Sequence, residues 1–110
     1  MKYEAHEEQG VLVVALDGDV DLESSPQARK ILLDCVGRND RVLIDLSRVG
    51  YMDSSGVASL VESLQHARKR GCAFALAAAN DMVGRVIGLA RLDRVFTLHP
   101  TVEEGVQALR

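Results

Sequence analysis

Asp53-Ser54-Ser55-Gly56 is the stretch of this chain whose residue types could do chemistry. It follows an apolar run and opens a helical one. The first backbone N–H groups of a helix lack internal partners, and the helix dipole is positive there. Asp53 or Ser54 can cap those donors. A phosphate on Ser55 would enter an anion-friendly site and add about −1.5 to −2 charges beside Asp53, Asp19 and Asp21. The two effects oppose each other: the helix end favours the phosphate, while the acidic surroundings resist it and change what the surface can dock. A partner seated on the uncharged edge would be expelled. The plain alternative is that Asp53 and the serines only cap the helix and that Gly56 only permits close packing.

An enzyme would need more. The pattern Gly-x-Ser-x-Gly is absent, because Ser55 has Asp53 two positions before it and Val57 two after. His6, His66 and His99 fall in an edge strand, on a polar helix face and before a proline, so none adjoins Ser55 in sequence. No phosphate-loop, dinucleotide or His-Glu-x-x-His motif occurs. Asp17, Asp19 and Asp21 have the spacing of a calcium loop but lack its later glycine and glutamate. Cys35 and Cys72 match no metal or redox spacing and sit among apolar residues, as buried reduced thiols do. The expectation is a protein without catalytic residues, cofactor or metal.

The elements that must position the turn follow from periodicity. Residues 2–7 suit a polar edge strand, and Gln9-Gly10 is a turn signal before Val11–Leu16, an apolar run fit for a strand covered on both faces. Asp17–Asp21 is an acidic loop. Ser25 as cap and Pro26 at the first position announce a helix whose apolar stripe is Ala28, Ile31, Leu32, Cys35 and Val36, with Gly37 as its stop. Arg41–Leu46 is the next strand. Val57, Leu60, Val61, Leu64 and Ala67 form a second stripe ended by Gly71, and Ala73–Ala78 is a third buried strand. Asn80 caps a third helix whose apolar band is wider than one buried face requires. Met82, Val86 and Leu89 therefore either form an exposed contact patch or lie under the last helix. Val95–Leu98 is a last strand, followed by a helix carrying Val102, Val106 and Leu109.

The order β-β-α-β-α-β-α-β-α predicts an α/β fold: one domain over 1–110 with a mostly parallel sheet packed by helices and an antiparallel leading pair. Both Asp17–Asp21 and Asp53–Gly56 follow strands, so both loops should open on the carboxyl edge of the sheet, where such folds bind.

The formal charge of −3 offers no basic face for direct nucleic-acid binding. Arg68-Lys69-Arg70 suits the last turn of a helix, where cations complement the dipole. No run approaches a membrane span and the N-terminus has no apolar signal segment, so a cytoplasmic location without membrane insertion is expected. With only four aromatic residues, the core must be aliphatic.

Leu16-Asp17-Gly18-Asp19-Val20-Asp21, and Val42-Leu43-Ile44-Asp45-Leu46 followed by Met52-Asp53-Ser54-Ser55-Gly56-Val57, resemble the STAS domain. More narrowly they resemble bacterial anti-sigma factor antagonists, over nearly the whole chain. The resemblance implies a partner-switching regulator of transcription. Unphosphorylated, it would bind an anti-sigma factor that is also a serine kinase; phosphorylation would release it and a cognate phosphatase would reset it. Ser55 matches the phosphoacceptor, with Ser54 as an alternative acceptor or a cap. Asp21 matches the loop aspartate implicated in kinase interaction, and Asp53 the acidic residue of the turn. Asp19, Asp21, Asp53, Ser54, Gly56 and Val57 would make up the partner surface, and Arg85, Arg91 and Arg94 are candidates to neutralise the phosphate. A second resemblance is to soluble STAS subunits of bacterial phospholipid-transport ABC systems, which dock on the transporter ATPase. The full Asp-Ser-Ser-Gly turn favours the switch.

Overall fold

The computed structural model describes residues 1–110. Strands Lys2–Glu8 (β1) and Val11–Asp17 (β2) pair antiparallel. Gln9 and Gly10 between them have φ of 52° and 81°, the two positive angles that a two-residue type I′ hairpin turn requires. The chain continues through Ser25–Arg38 (α1), Arg41–Arg48 (β3), Ser54–Arg70 (α2), Ala73–Ala77 (β4), Asp81–Leu89 (α3), a 3-10 turn at Leu92–Arg94, Leu98–His99 (β5) and Val102–Leu109 (α4). The sheet order is β1-β2-β3-β4-β5, and every pair after the first is parallel. This is the expected α/β architecture.

Because β2, β3 and β4 are covered on both faces, alternate residues enter two separate cores. Val14, Leu16, Ile44, Leu46 and Leu76 meet Leu32, Leu60, Val83 and Ile87 from α1, α2 and α3. Val11, Val13, Leu43, Ala75 and Ala77 meet Val106 of α4 on the opposite face. The second core is thin, and α4 lies close because residue 105 has no side chain: a Cβ there would stand 2.7 Å from both Leu43 methyls. Cys35 and Cys72 are buried free thiols, and burial raises the pKa of each.

Three local expectations need correction, and one open alternative is decided. Gly37 does not stop α1. The helix runs to Arg38, and Asn39 leaves in an extended conformation while its amide donates to the Cys35 carbonyl at 2.8 Å. The N-cap of α1 is Ser24, not Ser25, which is buried in the first turn. The last strand is Leu98–His99, because Val95 and Phe96 both donate to the Leu92 carbonyl and stay in the 3-10 turn; pairing begins where Leu76 N donates to Thr97 O at 2.9 Å. The last helix does not cover α3, since the two lie on opposite faces of the sheet. Val86 packs against the core, while Met82 is 46% and Leu89 79% exposed.

The two glycine environments predict opposite outcomes. Gly105→Ala, forced against the fully buried Leu43, should cost about 1–3 kcal/mol. Gly84→Ala in α3, where a Cβ meets open space, should gain about 0.5–1 kcal/mol. Urea unfolding of the two variants measures both.

Candidate functional site

The loops after β2 and β3 meet at the carboxyl edge of the sheet. Val20 and Met52 form an isolated parallel bridge, with Val20 N donating to Tyr51 O at 2.9 Å and Asp53 N to Val20 O at 3.2 Å. Gly18, at φ 113°, donates to the Arg48 carbonyl at 3.1 Å, a conformation that favours glycine. From the next strand, the Asn80 amide donates to Val49 O at 3.2 Å while its carbonyl oxygen caps α3 at Val83 N, 2.8 Å. Three consecutive strand ends are thereby tied into one surface.

Asp53 is the N-cap of α2. Its Oδ1 accepts from Ser55 N at 2.9 Å, Gly56 N at 3.3 Å and the Ser55 hydroxyl at 2.5 Å. The Ser55 hydroxyl is the main reason that the Asp53 carboxyl titrates below its ordinary range. Partial desolvation opposes this, and the backbone N–H groups of Gly56, Ser55 and Leu22 add to it. Of the two caps considered, Asp53 or Ser54, the structure selects Asp53. Ser54 is exposed and Ser55 half-buried at the start of the helix.

Asp21 is occupied in a comparable way at the head of α1. Its Oδ1 accepts from Glu23 N at 3.1 Å and Ser24 N at 3.0 Å, while the Ser24 hydroxyl donates to Asp19 O at 2.7 Å. The Asp19 side chain is exposed. Gly56 and Val57 are buried, so neither presents a side chain at the surface. A Cβ on residue 56 would lie 2.6 Å from the Val20 carbonyl and 2.7 Å from Met52 Cγ. Glycine is what lets α2 start directly beneath the Val20–Met52 bridge.

Below Ser55 a shallow groove of about 300 Å³ runs between α1 and α2. Ser25, Arg29, Ser55, Ser59 and Glu62 contribute to its lining. Arg29 Nε and Nη2 meet the Glu62 carboxylate at 2.5 and 2.8 Å across it. Each partner shifts the other toward its charged form, raising the pKa of Arg29 and lowering that of Glu62. Arg85, Arg91 and Arg94 sit on α3 and the turn after it and do not line this groove. No histidine lines it either. In the sequence, Arg29 and Glu62 each look like an ordinary polar neighbour of a buried stripe. Only the helix pairing brings them together.

A mostly parallel sheet with a tied carboxyl edge and a capped, half-exposed serine at a helix start define a small α/β domain. The chain belongs to the STAS domain family, whose model matches residues 2–105. It is 25% identical over 111 residues to the anti-sigma F factor antagonist of Paenibacillus polymyxa, covering 99% of this chain and 92% of that one. It is 27% identical over 94 residues to the anti-sigma-B factor antagonist of Bacillus subtilis, covering 86% of each. The crystal structure of an anti-sigma factor antagonist from Mycobacterium paratuberculosis superimposes with a TM-score of 0.91 at 27% identity, over 99% of this chain and 93% of that one. No helix is long and apolar enough to cross a membrane.

The lowered pKa of Asp53 carries a sign. Stability from its charged cap is present above the ordinary aspartate range, near ~3.9, and is lost as pH falls through the depressed folded value. Asp53→Ala should therefore unfold at lower urea than the parent at neutral pH, and the gap should narrow in acid. A gap that is constant across the titration would show that the charge of the cap contributes nothing.

Proposed function

We propose that this chain is an anti-sigma factor antagonist, a non-enzymatic regulator whose docking edge is switched by phosphorylation of Ser55. The observation that carries the reading is the Ser55 hydroxyl itself. It is half-exposed, stands at the head of α2 and donates to the cap carboxylate at 2.5 Å. The names of the relatives from Paenibacillus polymyxa and Bacillus subtilis support the same partner class. They are antagonists rather than transporter subunits, and so do not favour docking on a transporter ATPase.

The mechanism follows from the bonds at the cap. Unphosphorylated, the edge presents Asp19, Ser54 and the neutral Ser55 hydroxyl to an anti-sigma factor. That partner, acting as a serine kinase, transfers the γ-phosphoryl group of ATP to Ser55 Oγ. The new O–P bond forms as the bond to ADP breaks, and the hydroxyl proton is lost to base. Ser55 then no longer donates to Asp53, and a group of about −1.5 to −2 charges faces that carboxylate. The N–H groups of Ser55 and Gly56, now shared with Asp53, favour the phosphate locally. The partner surface gains charge it did not accept, and the complex separates. A phosphatase removes the phosphate and restores the docking edge. Asp21 supports this edge through the turn it caps.

Incubation with the cognate kinase, ATP and Mg²⁺ should add one phosphate, detected by intact mass. Ser55→Ala should abolish it and Ser54→Ala should leave it. Incorporation that persists in Ser55→Ala would move the site away from the head of α2.

A further inference from the structure

The helices flanking the groove run side by side in the same direction. At one level the Ser59 hydroxyl lies 3.3 Å from Ser25 O and 3.1 Å from Ser55 O. One turn further along, Arg29 grips Glu62. Ser55 heads the groove one turn before Ser59, so the guanidinium lies between one and two helical turns, about 5–10 Å, from its hydroxyl. Helical side chains lean toward the N-terminus of their helix, which for Arg29 is the direction of Ser55. Arg29 is half exposed, has a flexible stem, and is the one cation lining the groove at its Ser55 end, His66 and Lys69 lying beyond Glu62.

On the phosphoswitch reading above, on which this inference rests, we propose that Arg29 is the receptor for the Ser55 phosphate. In the unphosphorylated chain Glu62 holds the guanidinium. A phosphate offers more charge and three acceptor oxygens against the two of a carboxylate, and guanidinium binds it through paired hydrogen bonds. Arg29 therefore leaves Glu62 and closes over the head of the groove. Glu62 in the groove and Asp53 at the cap above it both repel the phosphate, so the arginine is what makes the modified state tolerable. Its departure also uncovers the Glu62 carboxylate. The change at the surface then extends two turns down α2, well beyond Ser55.

The test uses the full chain with phosphoserine installed at position 55 during synthesis, so that no kinase is involved. Phosphorus NMR gives the second pKa of the phosphate, which is near ~6 for a free phosphoserine. In the parent it should lie about half a pH unit below its value in Arg29→Gln, the size an exposed ion pair supplies. Glu62→Gln removes the competitor and should bring the pKa at least as low as in the parent. Both side chains are half exposed, so neither substitution disturbs the core. Identical titration of parent and Arg29→Gln, or a Glu62→Gln value raised to that of Arg29→Gln, would overturn the proposal. Failure of kinase transfer to Ser55 would sink the phosphoswitch and leave this titration unaffected.

Discussion

The bonds from Val20 N to Tyr51 O and from Asp53 N to Val20 O carry the parallel pairing of β2 and β3 past the ends of both strands. They fix where the loop after β3 turns, and so where α2 begins. The crossing is so close that residue 56 can have no side chain, and the first turn of α2 lies against the Val20 backbone. With the helix start pinned there, the Asp53 carboxylate falls on the free donors of α2, and Ser55 emerges at the surface with its hydroxyl on the same oxygen. The site exists because a backbone crossing leaves it no other place.

One oxygen, Asp53 Oδ1, serves three donors, and the proposed switch acts on that shared oxygen. A modification of Ser55 removes one of those donors and adds negative charge where negative charge already stands. Little of this reaches the core, since Val57, Leu60 and Leu64 anchor the helix underneath. A rigid scaffold with a charge-sensitive rim can change its partners without changing its fold. The Arg29–Glu62 pair is half exposed and adds little to folding.

The architecture was legible in the sequence because burial wrote it there. Continuous apolar runs mark strands covered on both faces, and Gly71, at φ 73°, closes α2 where the stripe of that helix ends. Elements set by tertiary bonds were not legible. Gly37 has the residue type of a helix stop but a helical backbone, and the bond from Asn39 to Cys35 ends α1 instead. Val95 and Phe96 have strand-like side chains but are held in a turn by the Leu92 carbonyl. At the site, the Asp-Ser-Ser-Gly turn announced a helix cap, at Asp53 or Ser54, and a candidate acceptor serine. The burial of Gly56 and Val57, the internal bonds of Asp21 and the Arg29–Glu62 contact depend on how α1 and α2 pair, which no local pattern encodes.

The central claim is that charge at Ser55 decides whether the edge docks. It is tested most directly by titrating an anti-sigma factor, by calorimetry, with the unmodified chain and with the chain homogeneously phosphorylated at Ser55. The unmodified form should bind saturably and one to one, and the phosphorylated form at least tenfold more weakly, a difference of about 1.4 kcal/mol or more. Equal affinity of the two forms would contradict the claim.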